Sequence, residues 1–360
     1  MAILPDAETF KRLVNGSTRG PAAAAARAGL AAAAVPYALA VAIRNAAYHR
    51  GLFHTAAVPA AVISVGNLTL GGTGKTPLVA WVARRLVERG RRPAIVSRGY
   101  AARPGERSDE AKELGLVLPG VMHVANRDRV AGSRAALAAG CDTIVLDDGF
   151  QHRRLHRDLD IVAIDATDPF GCGHIFPRGL LREPLRGLAR AHAFVLTRAT
   201  AVSAARRAEI RAVVAAHAGG PPRPWMEAEH RPVAVRRADG SRQPLDSLRG
   251  AAVVACAGIG NPAAFRRTLD ELGATVVAFE AFPDHHAYTP GDRAALAAAT
   301  RAAGADMLVT TLKDLVKMPA DVASGVDVAA VEIAIEPLSG GAEVAELIHA
   351  AAAATAGGRS

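Results

Sequence analysis

A glycine-rich segment that ends in Lys-Thr, residues 69–78 (TLGGTGKTPL), contains the residue types that bind phosphate. Glycines let backbone N–H groups approach phosphate oxygens, a lysine reaches the β and γ oxygens, and a hydroxyl ligates Mg²⁺. The segment departs from the strict P-loop pattern because Thr69 occupies the position of the first glycine. It still lies between a strand pattern and a helix pattern, so we expect a nucleoside triphosphate there. The expected contacts come from Gly71, Gly72, Thr73, Gly74, Lys75 and Thr76.

Two adjacent carboxylates, Asp147 and Asp148, follow the apolar run TIVL at the end of another predicted strand. A P-loop needs an acidic partner at the end of a nearby strand, which holds the metal directly or through water. Neighbouring carboxylates repel each other unless a cation lies between them. We therefore expect Thr76, Asp147 and Asp148 to bind Mg²⁺, and the sequence leaves open which aspartate contacts the metal first.

Three classes of protein use such a loop: guanine-nucleotide switches, partitioning-type ATPases on membranes, and phosphotransferases. A guanine-nucleotide switch needs the base-reading pattern Asn-Lys-x-Asp, which residues 311–314 (TLKD) do not match. A partitioning ATPase has a second lysine at the start of its loop, where this chain has Leu70. A phosphotransferase needs an acceptor site and a base, and two further stretches supply candidates for both.

These stretches are residues 97–111 (SRGYAARPGERSDEA) and 282–289 (FPDHHAYT). Tyr100 comes at the carboxyl end of a predicted strand, where ligands bind in parallel sheets, and Asp109 lies on the following loop. The Asp-His-His pattern has no companion Asp-x-Asp or Glu-x-x-His, so we do not predict a metal there. A histidine paired with a carboxylate is the better interpretation, because such a pair accepts a proton from an alcohol.

Apolar runs that alternate with helical patterns predict the elements that position these residues. Continuous apolar strands alternating with helices indicate a mostly parallel sheet with helices on both faces. The predicted fold class is α/β, of P-loop NTPase type, with a smaller C-terminal α/β domain. The predicted strands lie within 58–67, 92–100, 141–150, 159–167, 192–200, 253–260, 274–279 and 305–311, and the predicted helices include 77–90, 129–139, 262–272 and 291–303.

A Gly/Pro-rich break at residues 216–225 (AHAGGPPRPW) is the best candidate for a domain boundary. The alternation of strands and helices restarts after it. We predict an N-terminal membrane-associated segment, a P-loop kinase core, a smaller α/β domain and a flexible tail, which cover residues 1–50, 51–222, 223–345 and 346–360.

The N-terminal segment contains an uncharged stretch, residues 28–43, with arginines on both sides. Sixteen helical residues span about 24 Å, short of the roughly 20 residues that cross a bilayer. A helix on the membrane surface with basic flanks near lipid phosphates, a buried helix and a true span remain open. The larger apolar side chains fall on two helix faces, one with Leu30, Tyr37 and Val41 and the other with Val35, Leu39 and Ile43.

The composition favours an anionic partner. The 360 residues include 43 Lys and Arg against 34 Asp and Glu, a formal charge of +9 that suits a nucleotide, a phosphorylated substrate or an acidic membrane. Only 4% of residues are aromatic, so stacking platforms for nucleic acid are not evident. Three distant cysteines predict reduced, buried thiols rather than a disulfide or metal site, and the first twenty residues do not resemble a signal peptide.

Seven motifs together resemble the tetraacyldisaccharide 4′-kinases of lipid A assembly. From about residue 62 to 317, the chain contains in order VGNLTLGGTGKTP, SRGY, LDDGFQHRRLHRDLDIV, FPRGLLREP, AGIGNP, FPDHHAYT and TLKDLVK. The DDGFQHRRL and PRGLLREP segments are far more specific than the P-loop. The apolar N-terminal helix with basic flanks also resembles the membrane-contacting helix of that family.

This resemblance implies ATP- and Mg²⁺-dependent phosphorylation of the 4′-hydroxyl of a lipid disaccharide 1-phosphate, at the cytoplasmic face of the inner membrane. Lys75 and Thr76 would hold ATP and Mg²⁺, and Asp147 and Asp148 would supply metal-binding and catalytic carboxylates. Asp109 matches the aspartate that pairs with a histidine to activate the hydroxyl; that histidine corresponds to His285, with His286 as the alternative. The family usually reads Gly-Asp-Glu-Pro where this chain has residues 108–111 (SDEA).

The acceptor implied by the resemblance is itself anionic, and bidentate arginines suit a sugar phosphate. The candidate substrate-binding residues are Tyr100, Arg178, Arg182 and Glu183, of which Glu183 would accept sugar hydroxyls. The competing hypothesis is a membrane-associated P-loop ATPase that acts as a switch and transfers phosphate only to water. Such a switch shares the loop and the N-terminal helix but does not need the Asp109–His285 pair.

Overall fold

The computed structural model describes residues 7–71, 73–99, 108–284, 286–318 and 325–354, and the fold outlined below refers to these ranges. The helices are α1 (Ala7–Val14), α2 (Pro21–His49), α3 (Lys75–Glu88), α4 (Asp109–Val117), α5 (Arg129–Ala138), α6 (Ala204–Ala218), α7 (Pro262–Glu271), α8 (Pro290–Ala302), α9 (Leu312–Leu315) and α10 (Gly341–Ala354). The strands are β1 (Ala61–Gly66), β2 (Pro93–Ser97), β3 (Met122–Ala125), β4 (Thr143–Asp147), β5 (Leu159–Asp165), β6 (Ala193–Thr197), β7 (Trp225–Arg237), β8 (Arg242–Gln243), β9 (Ala252–Ala257), β10 (Thr275–Ala281), β11 (Met307–Thr311) and β12 (Val328–Ser339).

The chain divides into two compact units that are not contiguous in sequence. The first comprises Met1–Arg98, Asn126–Glu229 and Pro337–Ser360, and the second comprises Gly99–Ala125 and His230–Glu336. The sequence reading placed residues 99–125 in the P-loop core, whereas the structure groups them with the C-terminal residues. The physical reason lies in the packing of α4, because Leu116 and Val117 pack against the core that contains Leu308 and Leu312.

The first unit contains a parallel sheet with the order β7-β6-β5-β1-β4-β2, to which β7 contributes its first residues. Every residue of β1, β2, β4, β5 and β6 is buried, as expected for strands covered on both faces. Helices α3, α5 and α10 pack on these strands. Strand β1, which leads into the glycine-rich loop, therefore lies in the interior of the sheet between β4 and β5.

The second unit contains the parallel order β10-β9-β11-β12, with the short strand β8 antiparallel to the end of β7. Apolar side chains of β9, β11 and β12 pack with Phe265 and Leu269 of α7 in one core. A second core contains Cys256, Tyr288 and Leu296. The predicted mostly parallel α/β architecture, with a second α/β unit, is confirmed.

Helix α2 is longer than the uncharged stretch suggested, because it continues through Pro36 and includes Arg27 and Arg44. Its 29 residues correspond to about 43 Å, so the helix is long enough to cross a bilayer, contrary to the expectation from its uncharged residues alone. Among the described residues it is the single helix long and apolar enough to span a membrane by length and composition.

The two apolar faces of α2 differ in exposure. Val35, Leu39 and Ile43 are 64%, 59% and 60% exposed, whereas Val41 is buried. Tyr37 donates a hydrogen bond from its hydroxyl to the carbonyl oxygen of Arg182 at 3.1 Å. One face of α2 therefore packs on the first unit while the other presents large apolar side chains to the exterior.

The structure of the C-terminal residues differs from the predicted flexible tail. Residues 346–354, predicted as part of a flexible tail, form the end of α10, whose Val344 and Ile348 are fully buried. The three cysteines are free thiols as predicted, but only Cys256 is buried, while Cys141 and Cys172 are partly exposed. Burial raises the pKa of the Cys256 thiol to about 12, which keeps it protonated.

Candidate active site

The glycine-rich loop connects the end of β1 to the first turn of α3. Gly71 and Gly74 adopt positive φ angles of 107° and 71°, a region that side chains with a Cβ disfavour, so glycine is needed to make this turn. Helix α3 begins at Lys75, and Thr76 lies in its first turn. The backbone N–H groups of a first helical turn form an anion-binding site. Gly72 lies outside the described residues.

The register of β1 and β4 brings the predicted carboxylates to this loop. Val65 pairs with Asp147 in the parallel ladder, and Asp147 is buried. The chain then turns sharply at Asp148, which has a φ of 56°. Gly66 allows this turn to pack directly on the end of β1, because a Cβ at position 66 would lie 2.6 Å from the Cβ of Phe150.

Asp148 connects two cations at the centre of the site. Its Oδ1 lies 3.4 Å from Nζ of Lys75, and its Oδ2 accepts a hydrogen bond from Nη1 of Arg182 at 2.6 Å. Burial by itself would raise the pKa of Asp148, but Lys75 and Arg182 oppose that effect and hold the pKa below its ordinary value. The carboxylate is therefore ionised at neutral pH, as a metal-binding residue must be.

Two residues of this site were not found from the sequence. Nζ of Lys75 donates to Oδ1 of Asn67 at 3.1 Å, and Asn67 is fully buried beside the loop. Arg129 is also buried, and burial lowers the pKa of its guanidinium while Asp147 and Asp148 counteract that shift. Asn67 lies within the motif VGNLTLGGTGKTP, which could have indicated it. The residues around Arg129 form no recognisable motif, and its place in the site depends on how α5 packs.

The segment that contains FPRGLLREP lies against the glycine-rich loop. Thr69 forms an antiparallel bridge with Leu181, and the N–H of Leu70 donates to the carbonyl oxygen of Leu180 at 2.7 Å. This pairing explains how Arg182 reaches Asp148. Arg178, the other predicted substrate-binding arginine, donates from Nη1 to the carbonyl oxygen of Val14 at 3.1 Å, at the end of α1.

Glu183 is fully buried, unlike an ordinary substrate-binding carboxylate. Its Oε1 accepts hydrogen bonds from Arg190 at 2.7 Å and Gln151 at 3.1 Å, and its Oε2 accepts one from Asn45 of α2 at 3.1 Å. These donors occupy both oxygens. The burial argues against the expected contact of Glu183 with sugar hydroxyls.

Asp109, the predicted partner of the base, belongs to the second unit. Asp109 is the first residue of α4, and the N-cap Ser108 accepts a hydrogen bond from the N–H of Ala111 at 3.3 Å. A carboxylate in a first helical turn is stabilised by the helix dipole. Tyr100 and His285 lie outside the described residues.

Comparisons with known proteins show the family to which the chain belongs. The sequence profile described as tetraacyldisaccharide-1-P 4′-kinase matches residues 26–352. The chain belongs to the tetraacyldisaccharide-1-P 4′-kinase family. The resemblance drawn from the motifs is confirmed, and with it the assignment to a family of kinases.

Individual members of the 4′-kinase family cover most of this chain. The tetraacyldisaccharide 4′-kinase of Anaeromyxobacter dehalogenans is 42% identical over 319 residues, which is 83% of each chain. That of Geobacter sulfurreducens is 41% identical over 348 residues, 91% of this chain and 95% of the relative. A crystal structure of LpxK from Aquifex aeolicus in complex with ATP has a TM-score of 0.72 and 29% identity, and the match covers 91% of this chain and 99% of LpxK. The predicted P-loop fold class is thereby confirmed.

His286, the alternative base in this 4′-kinase, has a structural partner. Its Nε2 lies 2.9 Å from Oδ2 of Asp292, and its ring stacks on Phe282. Asp292 also caps α8, because the N–H of Thr289 donates to it at 2.8 Å. These contacts give His286 a structural role at the start of α8.

Lys313 and Asp314 each make an ion pair in the second unit, Lys313 with Asp284 and Asp314 with Lys317. Nζ of Lys313 lies 2.9 Å from Oδ1 of Asp284, the residue before His285. Asp314 is fully buried and accepts a hydrogen bond from the N–H of Gly258 at 2.9 Å. The two residues therefore help to hold the loops that begin at Gly258 and Asp284.

The donor set near the glycine-rich loop of the 4′-kinase fits Mg²⁺. Carboxylate and hydroxyl oxygens are the ligands that this ion prefers, and Thr76, Asp147 and Asp148 supply them. The buried Asp147 and the ionised Asp148 provide negative charge that a divalent cation would neutralise. Among the residues that the structure describes, groups of three or more His, Cys, Asp or Glu able to hold a metal do not occur, so the fit rests on this mixed set.

The cap of α8 yields a pH-dependent prediction. The N–H of Thr289, together with His286, lowers the pKa of Asp292 to about 2. Because the folded-state pKa lies below the ordinary value of 3.8, the stabilisation is complete above that value and is lost as pH falls towards 2. We expect Asp292→Asn to lower the free energy of unfolding at pH 6, and the difference from the parent chain to shrink between pH 4 and pH 2. Urea denaturation at several pH values measures it.

The matched control is Asp246→Asn, because the side chain of Asp246 is 83% exposed. It should change the unfolding free energy little at any of these pH values. A constant difference between Asp292→Asn and the parent chain from pH 6 to pH 2 would contradict the assigned role of the carboxylate.

Proposed function

We propose that this chain transfers the γ-phosphoryl group of ATP to the 4′-hydroxyl of tetraacyldisaccharide 1-phosphate. The observation that carries the proposal is the arrangement of Lys75, Asp148 and Arg182 beside a P-loop at the ends of two adjacent parallel strands. Membership of the 4′-kinase family supports the identity of the acceptor. The ATP named for the related LpxK structure supports the identity of the donor.

Phosphoryl transfer requires positioning and charge neutralisation more than covalent chemistry from the protein. Lys75, which Asn67 and Asp148 hold beside the loop, would contact the β- and γ-phosphates, while the N–H groups of the first turn of α3 bind the phosphate oxygens. Thr76, Asp147 and Asp148 would hold Mg²⁺. When bound, the ion would neutralise charge on the transferred group. Arg182 retains further N–H donors beyond the one that binds Asp148.

Asp109 and His285 are proposed as the pair that activates the acceptor. His285 would accept the proton of the 4′-hydroxyl, and Asp109 would stabilise the resulting imidazolium. Tyr100, Arg178 and Arg182 are proposed to bind the sugar and its phosphate, since arginines recognise phosphate through paired donors.

Helix α2 is proposed to contact the lipid surface, at the cytoplasmic face of the inner membrane. Its exposed face contains Val35, Leu39 and Ile43 at a spacing of four residues, and arginines lie on both sides. Its other face packs on protein, with Tyr37 bonded to Arg182 and Asn45 to Glu183. A helix covered by protein along one face suits a position on the membrane better than a span through lipid.

The first test uses Lys75→Ala. The variant should fold but lose the charge that stabilises the transferred phosphoryl group, so turnover should fall by about a hundredfold or more. Label transfer from γ-labelled Mg-ATP to tetraacyldisaccharide 1-phosphate in detergent measures it. Arg89→Ala is the control, because Arg89 is exposed at the other end of α3. Labelled lipid formed at the parent rate by Lys75→Ala would contradict the site, and label released only as free phosphate by the parent chain would favour the ATPase switch.

The second test concerns the proposed base. Asp109→Ala and His285→Ala should lower kcat by about a hundredfold or more while ATP affinity changes little, since general-base catalysis acts on the acceptor. His286→Ala is the matched comparison and should affect stability more than kcat, because His286 pairs with Asp292. If the two base variants raised only the KM for ATP, they would not act as base and partner.

The third test concerns α2. Replacing Val35, Leu39 and Ile43 together by aspartate should abolish flotation with vesicles of anionic phospholipid, because the apolar face would then repel the lipid surface. Val87→Asp is the control, since Val87 is a singly exposed apolar residue of α3. Equal flotation of the triple variant and the parent chain would remove the proposed membrane contact.

A further inference from the structure

A continuous series of hydrogen bonds joins α2 to the phosphate-binding lysine, entirely within the first unit. Asn45 of α2 donates from Nδ2 to Oε2 of Glu183 at 3.1 Å. Nε2 of Gln151 donates both to Oε1 of Glu183 at 3.1 Å and to the carbonyl oxygen of Asn67 at 2.8 Å. Oδ1 of Asn67 accepts from Nζ of Lys75 at 3.1 Å. We call the residues Asn45, Asn67, Gln151 and Glu183 the Glu183 network.

Burial, an ion pair and close packing fix the position of the Glu183 carboxylate. The residue is fully buried, and Arg190 neutralises its charge at 2.7 Å while the Arg190 guanidinium lies over the ring of Phe150. Gly187 leaves the space that the carboxylate occupies, because a Cβ there would lie 2.8 Å from Oε2. A buried carboxylate that accepts hydrogen bonds from three side chains, Asn45, Gln151 and Arg190, is costly to move, and its position in turn fixes these donors.

Gln151 links Glu183 to the glycine-rich loop through hydrogen bonds. Its amide nitrogen faces two acceptors, a carboxylate and a carbonyl, which sets the orientation of the amide. The carbonyl belongs to Asn67, which is fully buried and which also donates to the carbonyl oxygen of Thr69 at 2.8 Å. The backbone at the start of the loop and the side chain that receives Lys75 are thus fixed by the same residue.

We propose that Glu183 is a positioning residue for Lys75 and that α2, through Asn45, is part of that positioning device. The proposal rests on the proposed function, because that function requires Lys75 to contact the phosphates of ATP. Helix α2 then has two roles: its exposed face contacts lipid, and Asn45 on its other side keeps the nucleotide site in its binding geometry. Glu183 contacts neither the sugar nor the nucleotide.

The experiment compares Asn45→Ala, Asn45→Asp and Glu183→Gln with the parent chain. Alanine is favourable inside a helix, so Asn45→Ala keeps α2 intact. We expect a rise of about tenfold in the dissociation constant of a fluorescent ATP analogue with Mg²⁺, measured without lipid, by analogy with the loss of a partner that orients a metal ligand. The KM for the lipid in detergent and flotation with vesicles should stay as in the parent chain. Asn45→Asp, which keeps the size but loses the donor, should be no better than Asn45→Ala.

Two further variants keep the proposal falsifiable. Asn15, another asparagine of the N-terminal segment, accepts a hydrogen bond from the N–H of Ser17 at 2.9 Å, so Asn15→Ala should leave nucleotide binding unchanged. Gly187→Ala displaces the Glu183 carboxylate without removing any hydrogen-bonding group, and should weaken nucleotide binding like Asn45→Ala.

Nucleotide binding unchanged in Asn45→Ala and Glu183→Gln would overturn the proposal. So would a raised lipid KM with unchanged nucleotide binding, which would make Glu183 a substrate contact. Because the nucleotide measurement needs no acceptor, the result holds even if the parent chain fails to phosphorylate the lipid.

Discussion

The parallel pairing of β1 with β4 is the constraint on which the site depends. It places Val65 beside Asp147 and so puts a P-loop and a pair of carboxylates at one edge of the sheet. The close packing of Phe150 against Gly66 then leaves no room for a side chain at the end of β1. Two distant motifs of the sequence become one site because both follow strands that share a hydrogen-bond ladder.

Charge balance is the second requirement of this site. Carboxylates buried at the end of a strand are stable only with cations nearby, and Lys75, Arg129 and Arg182 supply them. These cations suit the phosphates of a nucleotide and the carboxylates suit a metal ion, so the ion pairs would supply the charges that phosphoryl transfer needs. Lys75 and Arg182 are thereby held close to the positions in which they would act.

The N-terminal helix belongs to this site rather than to a separate anchor. Its inner face contacts the segment that contains Arg182 and Glu183, and that segment bridges to the glycine-rich loop at Thr69 and Leu181. A chain that phosphorylates a lipid benefits from this connection, because the helix proposed to contact lipid and the loop proposed to hold ATP are then built on the same core.

The sequence by itself determined the alternating α/β pattern, the P-loop, the Asp147–Asp148 pair and the family, because each of these depends on local residue types and their spacing. It did not determine that α4 packs with the second unit, that residues 346–354 are helical or that α2 has one exposed face, since these depend on which apolar surfaces meet. Glu183 shows the difference most clearly. Its motif indicated a binding residue, but only the tertiary structure, by burying the carboxylate among Asn45, Gln151 and Arg190, decided which groups it touches. Burial depends on long-range packing, which residue spacing along the chain does not encode.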